Sequence, residues 1–521
     1  MGKIANRLAY AALAAVAVWP WLAYDTLFAP DEYVHLYNAC ALERLGDPDA
    51  PFAAYLRPNR FPEPNWFGHG WLLLATRVAP PWLAEKAFPL LLALGVGYAF
   101  LGARPRGRFA GLYGGLALLC LLGATWAAGF VNYLTGMVAV LAALTHLSRP
   151  RRHHAALTFA WAALCYVCHP IALLFFAGTL GLRDLLANGL LSTRLWPRGP
   201  AADWWGFARR VLLPLALPLA LVAAYVATHS EVSTLRGASP WRLLMFPYFF
   251  EELTLFSSAE AAFAKTVLAL AAVAGGVAIA QLLRRGGWRR SWWLVGAGVL
   301  GAAIVLAPDY FAGGGLIHQR LVPVAFAWAL YAGRDAAWAP RAGYVRALPA
   351  LLGVVLLAAT TGLTRARLRA LAPIYEAIVE LRNFAGSVPA GSVVLPVQGS
   401  AVGFGGVPLS RKPVFHHLAA ELGCERSLVL LDNYEAFVGY FPLLWREGRD
   451  PFRALSRGLE AHPARLDPAG GPWLFEHAEY VLALGPLDAA LEPETAAWLK
   501  PVLTEVAVSP SGRFTLYRLG G

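Results

Sequence analysis

The sequence predicts an α-helical polytopic membrane protein that carries a small C-terminal extracytoplasmic α/β domain. Hydrophobic residues make up 58% of its 521 residues and charged residues only 15%, whereas soluble domains carry about 25% charged residues. Apolar runs of about 20 residues, the length that crosses a bilayer, recur along the first two thirds of the chain. From about residue 365 onward, the runs are shorter and the polarity is ordinary.

About eleven segments are long and apolar enough to be predicted as spans. They are residues 8–28, 82–102, 109–127, 130–148, 155–168, 170–187, 211–228, 262–283, 290–308, 316–333 and 345–363. The fifth is short for a span and is followed by His169-Pro170, so a tilted or broken span is expected there.

Basic residues in the short connections predict the orientation of the spans. Clusters at 104–108, 149–152 and 284–290 alternate with connections that carry few Lys or Arg. Because Lys and Arg are retained in the cytoplasm, the N-terminus is predicted to lie inside, and residues 29–81 and the tail outside. The net charge of +12 is then a topology signal, and no nucleic-acid partner is expected. With the bias toward Ala, Arg, Leu and Gly, the pattern favours a bacterial inner membrane with a periplasmic or extracellular C-terminal domain.

The chain is predicted to divide into two domains. Residues 1–364 form the membrane domain, which includes the first outer loop at 29–81, and residues 365–521 form the outer α/β domain, joined by a linker of a few residues. The predicted elements of the outer domain are a helix at 373–385, β runs at 393–395, 428–431 and 480–484, and a hairpin of 502–508 with 513–519.

A proline and two acids, Asp31 and Glu32, directly follow the first span. Proline at the first position and acids in the first turn favour a helix, predicted over 30–45. Asp31, His35 and Asn38 then share one face at the outer membrane surface.

Two chemical roles for this face stay open beside a plain helix start. Asp31 could act as general base toward an acceptor hydroxyl, with His35 and Asn38 contacting the substrate. Asp31 and His35, four residues apart, could also hold a divalent metal ion. The third reading is that the acids only stabilise the helix N-terminus.

These features resemble the GT-C glycosyltransferases, which include the protein O-mannosyltransferases and the aminoarabinose transferase of lipid A. The resemblance lies in the acidic pair Asp31-Glu32 after a first span, the long outer loop, the many spans and the outer C-terminal domain. It implies transfer of a sugar from a polyprenyl-phosphate donor, on the extracytoplasmic face, to a protein, lipid or glycan acceptor. It also implies that Asp31 is the catalytic carboxylate, with Glu32 beside it. His35 is less typical of protein O-mannosyltransferases, so a Mg or Mn ion is an open alternative, and no cofactor is assigned.

Further along the first outer loop, Arg57 and Arg60 lie in a proline-rich stretch that predicts irregular structure. With His69, they are expected to recognise the donor phosphate or the sugar. The alternative is an interfacial loop whose Arg side chains reach the headgroups. An in-plane helix is predicted at 66–79.

Another polar group is predicted at the outer ends of two late spans, where Asp309 closes one span and His318 and Arg320 begin the next. Arg320, with His318 beside it, is expected to bind the donor phosphate through charge-assisted hydrogen bonds, and Asp309 to contact the substrate. The alternative is a structural Asp309–Arg320 pair.

Two functions of other classes remain: a transporter or flippase for a lipid-linked glycan, and a non-catalytic scaffold in envelope assembly. Neither a Walker A loop nor a dinucleotide fingerprint is present, so a direct nucleotide substrate is not expected. Cys40 and Cys424 both lie on the predicted outer side and could form a disulfide.

Overall fold

In the computed structural model of the protein, twelve stretches of the chain are described. They are residues 3–59, 63–102, 109–147, 155–187, 204–229, 253–284, 292–306, 310–311, 314–315, 317–334, 343–407 and 409–520. The chain forms two compact units: residues 1–22, 87–126 and 131–366 make the first, and residues 23–86, 127–130 and 367–521 make the second.

The first unit is almost entirely helical. The helices that lie wholly or mainly in it are Lys3–Leu22, Pro81–Leu101, Ala110–Leu121, Ala124–Ala127, Val131–Leu147, Ala155–Cys168, Pro170–Ala187, Trp204–Phe207, Ala208–Leu212 (a π-helix), Leu213–His229, Ser258–Glu260 (3₁₀), Ala261–Arg284, Trp292–Leu306, Ile317–Gly333 and Gly343–Phe384. Residues 81–86 and 367–384 of these helices belong to the second unit. Two short strands, Tyr310–Phe311 and Gly314–Gly315, pair antiparallel. The helix Ala155–Cys168 ends before His169, so the expected break at that position is confirmed.

The centre of this unit is the helix Ala110–Leu121, in which every residue is buried. It packs against Lys3–Leu22 and Ile317–Gly333. A Cβ at Gly111 would collide with the backbone of Asn6, so glycine permits the close approach of the helices Ala110–Leu121 and Lys3–Leu22.

Five described helices are long and apolar enough to cross a membrane: Pro81–Leu101, Ala110–Ala127, Trp204–His229, Ser258–Val277 and Ala350–Ser387. Exposed large apolar side chains such as Leu94, Leu213 and Val354 suit a lipid-facing surface, because a soluble protein would bury them. The protein is therefore a mostly helical polytopic membrane protein.

The second unit combines short helices with strands. Its elements are the helices Pro30–Glu43, Phe52–Tyr55, Trp66–Ala75, Ala420–Arg426, Tyr434–Val438, Pro451–Ala454, Gly471–His477, Leu487–Ala490 and Pro493–Leu499, the 3₁₀ turns Ala385–Ser387, Arg457–Glu460, Pro468–Gly470 and Lys500–Val502, and the strands Leu56–Pro58, Val393–Gln398, Val429–Leu430, Leu443–Trp445, Tyr480–Leu484, Leu503–Val508 and Phe514–Leu519.

Five of these strands form one mixed sheet. Val393–Gln398 pairs in parallel with Val429–Leu430 on one side and with Tyr480–Leu484 on the other. The last two strands, Leu503–Val508 and Phe514–Leu519, complete the sheet as an antiparallel hairpin, so the predicted hairpin is confirmed. The buried strand Val393–Gln398 is apolar except at its end, as expected for a strand covered on both faces.

Two local predictions are wrong. Residues 343–384 form one uninterrupted helix, so the short linker expected after the last span does not exist; the sequence there contains good helix formers that continue the apolar helix. The proline-rich stretch is not irregular throughout, since Leu56–Pro58 pairs with Leu443–Trp445. Proline is tolerated at the end of such a short edge pair.

A disulfide joins Cys40 to Cys424, with their Cα atoms 5.4 Å apart. Cys40 lies in the helix Pro30–Glu43 and Cys424 in Ala420–Arg426, and these two helices pack together. The pairing suggested by the sequence is confirmed.

Candidate functional site

The helix Pro30–Glu43 carries the residues singled out by the sequence. It begins with proline and has Asp31 and Glu32 in its first turn, as the N-terminal charge pattern predicts. Its side chains are buried around most of the helix rather than along one stripe. Different faces therefore meet different neighbours.

His35 lies between two carboxylates. Its Nδ1 is 3.1 Å from Glu32 Oε2, one turn earlier in the helix, and its Nε2 is 3.0 Å from Glu435 Oε1. All three side chains are almost fully buried. Glu32 thus accompanies His35 at the spacing i, i+3, where side chains of a helix face each other.

The same Glu435 also binds His69 and Asn38. His69 Nε2 lies 2.9 Å from Glu435 Oε2, and Asn38 Nδ2 donates a hydrogen bond of 2.7 Å to the same oxygen. His69 Nδ1 lies 3.4 Å from the carbonyl oxygen of Asn65. His35, His69 and Glu435 are called here the His35 cluster, and their metal-binding atoms all lie within 4.8 Å of one another.

Burial and charge act in opposite directions in this cluster. Burial alone would raise the pKa of Glu435, but His35 and His69 lower it to about 2. Burial alone would lower the pKa of His35, yet Glu435 and Glu32 raise it well above 6.5. For His69, burial dominates and the pKa is lowered despite Glu435.

Glu435 is the residue that the sequence analysis missed. It lies in the short helix Tyr434–Val438, far along the chain from the first outer loop, and no motif surrounds it. The only local signal is that an acidic residue soon follows the predicted β run at 428–431, where side chains at the carboxyl end of a parallel strand often form sites.

Asp31 is half-buried and faces another set of residues. Gly129 adopts φ of +91°, and a Cβ there would lie 2.6 Å from the Asp31 Cβ. Glycine is therefore required for two reasons: the left-handed backbone and the close approach of Asp31. After burial, the Asp31 charge is the next cause of the raised pKa of Tyr434, so the carboxylate lies near that phenol.

A second group of histidines and acids lies on the same compact unit. His416 Nδ1 and His462 Nε2 are 2.9 Å apart, and His417 lies 3.9 Å from Asp432 and 3.8 Å from Glu460. These five residues are called here the His416 cluster, and they line a cavity of about 20 Å³. A cavity of this size holds about one water molecule.

The His416 cluster is uncharged at neutral pH to a large degree. Burial lowers the pKa of His417 to about 3. Burial raises the pKa of Asp432 to about 7, and burial together with Asp432 and Asp31 raises that of Glu460 to about 8. Asp31 is thus electrostatically coupled to Glu460, which makes this cluster the polar surrounding of the candidate base.

Arg57 occupies the strand Leu56–Pro58 and lines an open groove of about 860 Å³ together with Arg446, Arg453 and Phe437. Arg446 donates a hydrogen bond to the Leu56 carbonyl, and Arg453 is paired with Asp450 at 3.1 Å. Two acids, Glu447 and Asp450, also line the groove, so its charge is mixed.

The structure describes only some of the remaining predicted site residues. Arg60 and Asp309 lie outside the described residues, and the side chain of His318 is not described. Arg320 is half-buried in the helix Ile317–Gly333, where its carbonyl accepts a hydrogen bond of 3.0 Å from the Tyr133 hydroxyl.

No protein-family model matches this chain, and no curated protein matches it. Among solved structures, the chain is similar to the crystal structure of ArnT from Cupriavidus metallidurans bound to undecaprenyl phosphate, with 16% identity and a TM-score of 0.49, over 99% of this chain and 98% of that chain. ArnT is an aminoarabinose transferase of the GT-C class, the group that the sequence resembles. At this identity the likeness assigns no role to any residue of this chain.

Proposed function

We propose that the protein is a membrane glycosyltransferase of the GT-C type that uses a polyprenyl-phosphate-linked sugar on the extracytoplasmic face. The observation that carries the proposal is the environment of Asp31. A half-buried carboxylate lies in the first turn of the helix that comes next after Lys3–Leu22, is packed against a glycine with a left-handed backbone, and contributes to the raised pKa of the partly buried Glu460. Acids of perturbed pKa such as Glu460 cluster at functional sites.

In the proposed reaction, Asp31 removes the proton from the acceptor hydroxyl. The freed oxygen attacks the anomeric carbon of the donor in line, and the bond between that carbon and the phosphate oxygen breaks. The phosphate leaves with the electron pair and stays on the polyprenyl carrier, and the configuration at the anomeric carbon inverts. A nearby cation lowers the barrier, because negative charge develops on the leaving phosphate. Arg320, Arg57, Arg60 and His318 are the proposed sources of that cation, and Asp309 is a proposed substrate contact.

His35, Asn38 and His69 receive a different role from the one that their sequence positions predict. All three are buried and bonded around Glu435, which supports a role in holding the Asp31 helix in place. Glu32, fully buried beside His35, belongs with them rather than with a reacting hydroxyl.

The proposed topology has eleven spans, a cytoplasmic N-terminus, and an outer domain of residues 365–521, in a bacterial inner membrane. The Cys40–Cys424 disulfide supports a common outer location for the first outer loop and the tail, because such bonds persist outside the cytoplasm.

The first experiment is native mass spectrometry of the full chain in detergent, supplied with undecaprenyl phosphate. Retention of the lipid is expected. The second is transfer of labelled sugar from undecaprenyl-phosphate donors, including the mannose and aminoarabinose forms, to membrane acceptors, with Asp31→Asn and the exposed Asp49→Asn as a matched pair. Loss of transfer in the first variant and retention in the second is the expected result. Bound lipid with translocation that is insensitive to Asp31→Asn would instead indicate a flippase.

A further inference from the structure

The His35 cluster combines two imidazoles and one carboxylate with an acceptor behind each ring. His35 and His69 both direct Nε2 at the carboxylate of Glu435, at 3.0 and 2.9 Å. On their opposite sides, both rings have an acceptor at Nδ1: the Glu32 carboxylate and the Asn65 carbonyl. A neutral imidazole has one proton for its two nitrogens. A neutral His69 therefore points one lone pair at an oxygen, whereas a metal ion at Nε2 would take that lone pair and leave the proton on Nδ1 for the Asn65 carbonyl.

Two oxygens in the cluster add a second observation. Glu32 Oε1 is buried and has no hydrogen-bond partner among the described residues, and Glu435 Oε1 lies 3.0 Å from His35 Nε2. Both side chains are fully buried. Leaving a buried oxygen such as Glu32 Oε1 unpaired costs free energy, and a cation beside Glu435 would attract both carboxylates.

We propose that His35, His69 and Glu435 bind one divalent transition-metal ion, and that zinc fits this ligand set best. Each ring offers Nε2 to the metal, while Nδ1–H donates to Glu32 or to the Asn65 carbonyl. This outer pairing is the usual way in which proteins orient metal-binding histidines. Two imidazoles and one carboxylate suit Zn²⁺, which takes four ligands at about 2.0–2.2 Å, and suit Mg²⁺ poorly because that ion prefers oxygen.

The site connects three separate segments of the second unit. His35 lies in Pro30–Glu43, His69 in Trp66–Ala75 and Glu435 in Tyr434–Val438. The three ligand side chains are 0–4% exposed, so bulk solvent is kept from them, and the fourth position of Zn²⁺ would be left for a water molecule. The ion would fix the helix whose first turn carries Asp31, so His35 and His69 are positioning residues.

The test measures metal content rather than turnover. The full chain is purified in detergent through a tag without histidine, and its metals are counted by inductively coupled plasma mass spectrometry. About one zinc ion per chain is expected, directly or after one equivalent of zinc is restored to chelator-treated protein. Cobalt titration of the same treated protein should give the visible bands of tetrahedral Co²⁺ with one equivalent, and this measurement needs no variant to fold.

Three variants define the ligands. His69→Asn should lose the ion, Glu32→Gln should weaken binding by about 10–100-fold because it orients a ligand, and His229→Asn, a half-exposed histidine of the first unit, should keep it. The proposal is overturned if the native chain neither retains nor takes up zinc or cobalt, or if His69→Asn binds the ion as tightly as His229→Asn does. Neither result depends on glycosyl transfer. The metal site can therefore be disproved while the proposed function holds, and the proposed function can be disproved while the metal site holds.

Discussion

The second compact unit contains two groups of histidines and acids that differ in how their protons are arranged. In the His35 cluster, every ring nitrogen faces an oxygen acceptor. In the His416 cluster, His416 and His462 hydrogen-bond to each other at 2.9 Å, and His417 lies 3.8 Å or more from its acids. The first group is short of positive charge, whereas the acids of the second group hold their protons more tightly because their pKa values are raised.

The difference shows that residue type alone does not make a metal site. Both groups place three metal-binding atoms within 4.8 Å. In the His35 cluster two rings contact one shared carboxylate at 3.0 and 2.9 Å, whereas in the His416 cluster His462 contacts His416 and the Gln398 carbonyl. The His416 cluster instead gathers carboxyls of raised pKa beside Asp31. We therefore expect metal binding at the first group, and proton chemistry near the second.

The largest expected effect is the loss of glycosyl transfer when Asp31, which lies beside the His416 cluster, is replaced. Asp31→Asn should lower glycosyl transfer by about 10²–10⁴-fold, because a general base contributes that much, and should leave the metal content unchanged. The transfer rate is measured with a labelled polyprenyl-phosphate sugar. The metal content is measured in the same preparation. Full activity in this variant would remove Asp31 from the reaction.

Loss of the central carboxylate should affect stability more than any other change in the His35 cluster. Glu435→Gln leaves buried imidazoles without their counter-charge, and breaking a buried pair in this way costs roughly 3–5 kcal/mol. Thermal unfolding in detergent measures this loss of stability. The matched control is Glu476→Gln, since the Glu476 side chain is 73% exposed and its loss should change stability by less than about 0.5 kcal/mol. Equal effects of the two changes would contradict the comparison.

The acids of the His416 cluster should make stability depend on pH. Burial raises the pKa of Glu460 from 4.5 to about 8, so the folded protein holds a proton that the unfolded chain releases. This contribution to stability is complete below pH 4.5 and is lost as the pH rises through 8. The Tm should therefore fall between about pH 4.5 and 8, and Glu460→Gln should flatten the fall, whereas the exposed Glu505→Gln should not. An unchanged slope in Glu460→Gln would show that this carboxyl ionises normally.

The smallest effect is expected from the hydrogen bond between His416 and His462. His416→Asn should cost about 1 kcal/mol, the usual net value of one hydrogen bond, and should not reduce the zinc content. Denaturation and metal analysis test the two statements. A loss of one metal equivalent would show that the two clusters are more alike than their contacts indicate.

Local sequence predicted the secondary structure correctly where either the bilayer or a short residue pattern determines it. The apolar lengths predict helices because a bilayer requires backbone groups to be satisfied within the segment. Proline with Asp31 and Glu32 predicts the helix that begins at Pro30, and the turn residues after Val508 predict the final hairpin. Each of these inferences uses interactions between residues that are near in the chain.

The sequence alone determined the membrane class and the helix start at Pro30, and it offered Cys40 and Cys424 as a possible pair. Only the tertiary structure decided that His35 meets Glu435 and His69, and that the Asp31 charge acts on Glu460. Asn38 and Glu435 are 397 residues apart in the chain, and no local periodicity encodes such a contact. Burial then decides the protonation of the acids and histidines, because a charge loses its hydration only when the folded chain surrounds it.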